Sequence, residues 1–349
     1  MTSADKVAER FSTYVLPGRI SDPLRALAEG RDAAKVGLGG IWLSERYATK
    51  EPAVIGGALA IACPELRIGG TFYAHMRHPI VTASIANTMQ AYTGNRFTLV
   101  LARASPEFFD GFGVPTLTLA RLGDTSRILR SLWNGEVVDY SGSVGTYRGL
   151  RLSDRYEGLP PPIVFTAIGP KALAFAGEHC DGVLLHPLLT VDAVARSAAA
   201  CRKAAATAGK DPAHFRVVAN VIVAPDLSAE KEAAVVGGRA VTYLQAALGD
   251  IIAQVNQWDS APLARLRSYE KFASLDSGIA SRHMTREQLV EASQLLPPEW
   301  LEHGVAAGSA AQCADRLCSY LQAGADEILL HGAAPSEMTA LMSALRDKF

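Results

Sequence analysis

The sequence lacks the signals of several protein classes. Its five cysteines form no Cys-x-x-Cys pair, and its 34 basic and 35 acidic residues leave a net charge of −1. No apolar run reaches the roughly 18 residues of a membrane span, and the opening MTSADKVAERF contains no apolar signal core. We therefore expect no nucleic-acid partner, no membrane insertion, and reduced, buried thiols in a cytoplasmic protein.

Familiar catalytic motifs are missing as well. The GLGG at 37–40 precedes a predicted strand, which is the wrong order for a dinucleotide-binding fingerprint. The chain has no P-loop, no Gly-x-Ser-x-Gly and no His-Glu-x-x-His. His75 and His78 are three residues apart, but no cysteine or carboxylate stands beside them at ligand spacing. We therefore predict no metal site.

Short apolar runs alternate with longer helix-like stretches along the whole chain. Their near-continuous Val, Ile and Leu content is typical of parallel strands that are covered on both faces. Eight such units predict a single α/β domain over residues 1–349, a (β/α)8 TIM barrel with insertions. A doubly wound sheet is the alternative, although it usually has only about five or six strands. The predicted strands are residues 12–16, 40–44, 66–72, 97–102, 162–167, 182–186, 216–223 and 326–331.

Two segments are insertions beyond the eight strand–helix units of a minimal barrel. Residues 134–160 contain VVDY and TYRGL around Ser-Gly-Ser-Val-Gly, which predicts a hairpin insertion. Residues 249–300 form a long polar and helical insertion before the last strand–helix unit. Such an insertion is either a lid over the substrate or a packing or dimer element, and the sequence leaves both open.

A predicted strand passes directly into a helix at PIVFTAIGPKALAF. Pro170 suits the first turn of a helix, because its missing N–H would have no partner there anyway. The free N–H groups around Ile168, Gly169 and Lys171 would then form an anion site at the helix N-terminus, with Lys171 adding positive charge. The alternative is an ordinary helix start with an exposed lysine.

Two other strand ends carry unusual residues. In RIGGTFY at 67–73, two adjacent glycines indicate a bulge or the close approach of a flat group to the backbone. In LSERY, Glu45 and Arg46 follow a buried run at the end where barrels place their active sites. A surface ion pair is the alternative for these two charges.

Together these stretches resemble the bacterial luciferase-like monooxygenase superfamily, and most closely its branch that uses the deazaflavin coenzyme F420. The resemblance runs from about residue 10 to 190 and resumes at 296–332. No single motif is decisive, but the motifs occur in the family order. The stretches that carry the resemblance are AAKVGLGGIWLSER, LRIGGTFYAHMRHPIVTASIANTMQAYTGNRF, RILRSLWNGEVVDYSG and PPIVFTAIGPKALAFAGEHCDGVLLHP.

The resemblance implies a (β/α)8 fold and a set of cofactor contacts. It implies a non-prolyl cis peptide at Gly70–Thr71, in a bulge that backs the flavin ring. It places the cofactor phosphate on the backbone of Ala167, Ile168 and Gly169. Glu45 matches an acidic position beside the deazaflavin ring.

The chain departs from the family pattern at two places. Arg46 stands where one member has a proton-transferring histidine, so that role does not carry over. At the end of the fourth strand, the resemblance makes Ala102 and Arg103 cofactor contacts, but they stand where the family often has Gly-x-Gly, and Ser105 replaces an acid of the sugar-phosphate dehydrogenase. These departures argue against sugar-phosphate oxidation.

The resemblance therefore predicts an oxidoreductase that transfers a hydride between F420 and a small organic substrate, either a carbonyl or alcohol or an activated alkene. One alternative is a monooxygenase that uses reduced FMN from a separate flavin reductase. Another is a barrel that binds a cofactor or ligand without turnover. A homodimer is also implied, since relatives often dimerise through barrel helices.

Several side chains are candidates for the remaining roles. His75 and His78 are candidate proton donors at the barrel mouth, because histidine titrates near neutrality. Arg46 and Arg103 are candidate fixed cations for a developing oxyanion. Lys171 is a candidate partner for the acidic tail of the cofactor. The alternative for each histidine is a structural role at the following helix.

Overall fold

Eight parallel strands close into a barrel, and helices surround it. The computed structural model describes residues 2–16, 20–45, 50–103, 113–114, 117–272 and 283–349. Each predicted strand is present, and the first and last strands pair through Phe11↔Ile328 to close the ring. The (β/α)8 prediction is confirmed. The barrel strands are β1 (Phe11–Tyr14), β2 (Gly40–Ser44), β3 (Arg67–Tyr73), β4 (Phe97–Ala102), β7 (Ile163–Ala167), β8 (Gly182–Leu185), β9 (Arg216–Pro225) and β11 (Glu327–Gly332).

Helices connect these strands and cover the barrel. Most of them begin at a residue whose side chain accepts from a backbone N–H of the first turn, as Thr118 and Thr190 do. The helices are α1 (Ser3–Arg10), α2 (Arg25–Val36), α3 (Pro52–Ala62), α4 (Pro79–Thr93), α5 (Leu119–Trp133), α6 (Pro170–His179), α7 (Val191–Thr207), α8 (Ala229–Leu244), α9 (Leu248–Asn256), α10 (Ala261–Arg267), α11 (Arg286–Ser293), α12 (Pro298–Gly304), α13 (Ala310–Gln322) and α14 (Thr339–Arg346).

The barrel interior is built in layers, because side chains alternate between the inside and the helix layer along each strand. An apolar layer fills the middle and excludes water from the barrel axis. Below it, toward the N-terminal ends of the strands, lies the buried carboxylate of Glu327. Above it, toward the C-terminal ends, the strands end in polar residues. The middle layer consists of Trp42, Val100, Val164, Leu184, Val218 and Leu329.

Both predicted insertions are present. The antiparallel strands β5 (Val138–Gly142) and β6 (Gly145–Leu150) form the hairpin. The second insertion contains α9 to α12, and with α8 it packs into an apolar cluster of its own around the buried Leu266 and Trp300. One strand was not predicted: β10 (Val305–Gly308) pairs with the extended C-terminal part of β9. Its sequence, VAAG, is too short and too rich in alanine to be recognised as a strand.

The double glycine in β3 has a different explanation from the expected one. The Gly70–Thr71 peptide is trans, and β3 pairs with β2 and β4 without a register shift. The predicted cis peptide and bulge are therefore wrong. A Cβ at Gly69 would lie 2.5 Å from the Trp42 ring, and one at Gly70 would lie 2.8 Å from the Phe72 ring. The glycines make room for these rings.

Within the described residues, no helix is both long enough and apolar enough to cross a membrane. All five cysteines are free, and four of them are buried. Burial raises the pKa of the Cys180 and Cys201 thiols to about 12, so these thiols are protonated and unreactive at neutral pH.

Candidate active site

The C-terminal ends of the strands form a polar mouth above the apolar layer. The residue two positions beyond each member of that layer points into the barrel again, since the side-chain period of a strand is two. Active sites of TIM barrels lie at this end. The residues that alternation places here are Ser44, Ala102, Thr166, His186, Asn220 and His331. Thr71 joins them, because it is two positions beyond Gly69, which pairs with Trp42 in register, and Tyr14 lies beside them.

Glu45 follows β2 at this mouth and is 8% exposed. Its Oε2 accepts from the Tyr73 N–H (2.6 Å), and its Oε1 forms an ion pair with Arg77 Nη1 (2.6 Å). Burial raises the pKa of the Glu45 carboxyl above its ordinary value, while the Tyr73 amide and then Arg77 act in the opposite direction. The carboxylate therefore ties the end of β2 to the end of β3.

Arg77 is the ion-pair partner of the Glu45 carboxylate. Its guanidinium bridges Glu45 and Glu51, the latter at 2.7 Å, and lies 5.2 Å from the centre of the Phe72 ring. Glu51 also caps α3 by accepting from the Val54 N–H. Glu45 thus pairs with an arginine 32 residues further along the chain. Arg46 itself lies outside the described residues.

The two candidate histidines occupy different environments. His75 is half-buried in the short 3-10 turn after β3, where burial and then Arg121 lower its pKa. The His78 Nδ1 accepts from the Ile80 N–H (3.2 Å) and caps α4, and its ring lies 4.8 Å from that of Tyr147 on the hairpin. His78 therefore has a structural role at the helix start, whereas the catalytic role predicted for either histidine stays a prediction.

The N-terminus of α6 lies at the mouth, directly after β7. Gly169 has φ +79° and ψ 158°, a conformation that is essentially restricted to glycine, and no side chain caps this helix. The first-turn N–H groups of Lys171 and Ala172 have no carbonyl one turn earlier in the helix to donate to. Lys171 is exposed beside them. This arrangement has the donors and the positive charge of an anion site.

The other predicted cofactor contacts are less informative. Ala102 is buried at the end of β4, and Arg103 is exposed immediately after it. Ala167 packs outward into the main core, while Ile168 is half-buried between the two apolar clusters. Ile251 of α9 approaches the position of a Cβ on Gly169 to 3.5 Å. The helical insertion therefore reaches the predicted phosphate site.

Sequence reasoning missed a cluster on the opposite side of the mouth. His331 Nε2 lies 2.9 Å from Arg239 Nη1 and 3.0 Å from the Tyr243 hydroxyl, both on α8. The Tyr243 ring also meets the ring of His186 at 4.9 Å. Burial lowers the pKa of His186 to about 4, so its ring is neutral at pH 7. A signal was present, since GVLLH and EILLH each end an apolar run with histidine.

Two buried polar atoms at the mouth have no hydrogen-bond partner among the described residues. They are Thr71 Oγ1, whose side chain is 5% exposed, and Asn220 Oδ1, at 8% exposed. Leaving a buried polar atom unsatisfied costs about 1–3 kcal/mol. Both atoms are therefore suited to hydrogen bonds with a polar, ring-shaped ligand in the barrel, and the site fits a flavin-type cofactor.

A separate cavity of about 450 Å³ lies at the opposite end of the barrel. Its cations are already engaged: Arg130 pairs with Asp181 at 2.9 Å, and Lys210 Nζ donates to two backbone carbonyls. Across the described part of the chain, no three His, Cys, Asp or Glu side chains are grouped to hold a metal ion. The barrel mouth is therefore the candidate active site of this protein.

The barrel, the polar mouth and the helix N-terminus beside it are the features of a TIM-barrel enzyme whose active site lies at the C-terminal ends of its strands. The model of the luciferase-like monooxygenase family matches residues 9–327, and the chain belongs to this family. The family and fold that the sequence predicted are confirmed.

Similar curated proteins are reductases. The chain is 28% identical over 217 residues to a 5,10-methylenetetrahydromethanopterin reductase of Methanolobus tindarius, a match covering 60% of this chain and 65% of that protein. It is 30% identical over 201 residues to a phthiodiolone/phenolphthiodiolone dimycocerosates ketoreductase of Mycobacterium tuberculosis, covering 55% and 53%. The matches thus span less than two thirds of these relatives.

Solved structures with the same fold cover nearly the whole chain. A coenzyme F420-dependent tetrahydromethanopterin reductase from Methanopyrus kandleri superposes with a TM-score of 0.80 at 17% identity, over 96% of this chain and 97% of that one. An F420-dependent secondary alcohol dehydrogenase in complex with an F420-acetone adduct gives 0.73 at 15%, over 97% and 99%. An EDTA monooxygenase from Chelativorans sp. BNC1 gives 0.69 at 16%, over 98% and 94%. These identities establish the fold alone.

Proposed function

We propose that the protein transfers a hydride between coenzyme F420 and a small organic substrate, a carbonyl or alcohol or an activated alkene. The observation that carries this proposal is the uncapped N-terminus of α6 at the barrel mouth, with Gly169 in a glycine-only conformation and Lys171 beside it. It offers backbone donors and positive charge for an anion beside the polar residues of the barrel mouth. The similarity to F420-dependent enzymes supports F420 as the occupant.

Specific groups of the chain serve the binding of this cofactor. The first-turn N–H groups of α6 and the Lys171 ammonium bind the phosphate. The side chains of Thr71 and Asn220 hydrogen-bond the polar edge of the ring or the substrate. When bound, F420 supplies a deazaflavin ring that gives up or accepts a hydride. The apolar layer under the mouth excludes water from the reacting groups, and the neutral His186 adds no charge beside them.

A reduced-FMN monooxygenase is the competing assignment, because a phosphate site on α6 would serve FMN equally and a monooxygenase shares the fold. It would require a separate flavin reductase as partner. A barrel that binds a cofactor without turnover is a third assignment.

Titration separates these assignments. We expect the purified protein to bind F420 with micromolar affinity and FMN at least about tenfold more weakly, a difference of roughly 1.4 kcal/mol. Cofactor fluorescence measures both dissociation constants, and riboflavin, which has no phosphate, is the matched control ligand. Tighter binding of FMN than of F420 would move the assignment to the monooxygenase. Binding of neither cofactor to a folded sample would end the enzyme proposal at this site.

We further propose that the protein is a homodimer formed through α3 and α4. Neither helix contains a charged residue. On the outer face, Val54 is 73% exposed, Ile61 68%, Val81 46% and Tyr92 55%. A face of this kind complements a second copy of itself, because no charge has to be desolvated on either side.

Charge on this face is expected to separate the subunits. The double variant Val54→Asp, Ile61→Asp should elute as a 37.1 kDa monomer, while the unmodified chain has twice that mass. Light scattering after size exclusion measures both. Val137→Asp is the control, since Val137 is 57% exposed and precedes the hairpin strand β5 rather than belonging to α3 or α4. An unmodified chain that is already monomeric would contradict the proposal.

A further inference from the structure

The cluster of Tyr243, His331 and Arg239 has a defined protonation pattern. Arginine has only donors, so a guanidinium nitrogen 2.9 Å from His331 Nε2 requires an unprotonated, accepting Nε2. The His331 ring is then neutral, with its proton on Nδ1. The Tyr243 hydroxyl, 3.0 Å from the same Nε2, shares one lone pair with a cation. The Tyr243 O–H therefore has only a weak hydrogen bond to His331 Nε2. It can donate instead to a stronger acceptor, such as the oxygen of a bound carbonyl group.

The cluster lies at the mouth of the barrel. His331 ends β11, which is a barrel strand, and is 6% exposed. Tyr243 reaches from α8 across the end of β9, between His331 and the ring of His186. The unsatisfied Asn220 Oδ1 belongs to the β9 strand between them. This side of the mouth is opposite β3 and β4 in the closed order of the barrel strands.

We propose that Tyr243 is a catalytic proton donor and acceptor, and that the substrate is of the carbonyl and secondary alcohol class. Arg239 and His331 are positioning residues: they hold the hydroxyl, and the guanidinium charge stabilises the phenolate that forms. The inference rests on the proposed function, because the hydride comes from reduced F420.

The step balances in atoms and electrons. During reduction the carbonyl carbon receives a hydride from reduced F420, so a C–H bond forms as the C=O π bond opens. The carbonyl oxygen takes the proton from the Tyr243 O–H bond. The substrate gains two electrons, F420 is oxidised by two, and the phenolate regains a proton from water at the mouth. Oxidation of the alcohol is the reverse, with Tyr243 oxygen as the base.

The surroundings of Tyr243 fit this role better than those of the residues at β2 and β3. Both oxygens of Glu45 are held by the Tyr73 amide and Arg77, and His78 Nδ1 caps a helix. Among the described residues, the titratable and charged groups in contact with this cluster include Arg239, His331, the neutral His186 and Tyr14, whose ring lies 5.1 Å from that of His331.

A carbonyl probe tests the proposal without turnover. In isotope-edited infrared spectra of the protein with [2-13C]acetone, we expect a bound carbonyl band at lower frequency than in buffer, because a hydrogen bond weakens the C=O bond. The band should be lost in Tyr243→Phe and retained in Tyr156→Phe, whose ring lies in the loop before β7. Spectra are recorded both without cofactor and with oxidised F420. A wild type that shows only the free-acetone band, or a shifted band that survives Tyr243→Phe, would overturn the proposal.

The positioning residues have their own readout. In 15N spectra of histidine-labelled protein, the His331 resonances, identified by their loss in His331→Gln, should show an unprotonated Nε2 at pH 7. In Arg239→Met the ring should shift toward the Nε2–H tautomer, with Tyr243 accepting. A protonated Nε2 in the unmodified chain would contradict the arrangement. The F420 titration on the same samples distinguishes the proposed F420-dependent function from the proposed role of Tyr243. Binding of F420 without a shifted carbonyl band would refute only the role of Tyr243.

Discussion

Replacing Gly169 with Asp is expected to weaken F420 binding by about 100-fold or more, equivalent to roughly 2.7 kcal/mol. Two effects act together. The backbone at φ +79° and ψ 158° is a conformation that a side chain disfavours by about 1–3 kcal/mol. The new carboxylate would also stand at the N-terminus of α6, where the phosphate is proposed to bind, and like charges repel. Fluorescence titration of F420 measures the loss.

Two further variants separate the backbone effect from the charge. Gly169→Ala introduces the same backbone strain without a charge, so it should weaken binding less than Gly169→Asp does. Gly209→Asp introduces a carboxylate at another positive-φ glycine (φ +78°) with no atom within 4 Å of its Cβ position, at the C-terminus of α7. It should leave F420 affinity unchanged. If the Ala and Asp variants at position 169 bind F420 equally, the phosphate does not lie on this helix.

The strands were predictable because a parallel barrel buries both faces of each strand. FTLVLA, IVFTA and EILLHG are therefore nearly uninterrupted apolar runs, which local pattern detects. The glycines of β3 show the limit of that reasoning. A pair of glycines in a strand fits a bulge and a ring packed against the backbone equally well. Only the neighbouring strand, which brings Trp42 against Gly69, decides between them.

Only those residues of the candidate site that lie at or directly after the end of one strand were predictable from local sequence. Glu45 and Gly169 were proposed in this way, since barrel strands present function at their C-terminal ends, whereas Thr71 was proposed from the family resemblance. The partners of these residues were not. Tyr243 and His331 are separated by 88 residues in sequence, and α8 gives no local sign of the strand that it contacts. Applying the strand-end rule to every strand would have found His331 but not the tyrosine.

The closed N-terminal end of the barrel depends on one carboxylate. Glu327 is 1% exposed and accepts from Ser12 Oγ and from Trp42 Nε1 (3.3 Å). Arg216 pairs with its second oxygen, and Arg67 lies 3.9 Å away. Burial lowers the pKa of Arg67, and the charge of Glu327 opposes that shift. The carboxylate thus neutralises guanidinium groups that enter the end of the barrel opposite to the mouth.

Replacing Glu327 with Ala is expected to lower the free energy of unfolding by about 3–5 kcal/mol, because it leaves two partly buried guanidinium groups and two donors without their common acceptor. Glu327→Gln should lose less, since an amide oxygen still accepts from Ser12 or Trp42, and exposed Glu157→Ala should change little. Urea unfolding followed by tryptophan fluorescence measures all three, with Trp42 reporting directly on the site.

F420 affinity of the folded Glu327→Gln protein should match that of the unmodified chain, because the mouth lies beyond the apolar middle layer. A loss below about 1 kcal/mol in Glu327→Ala, the range of an exposed ion pair, would show that this carboxylate does not support the barrel.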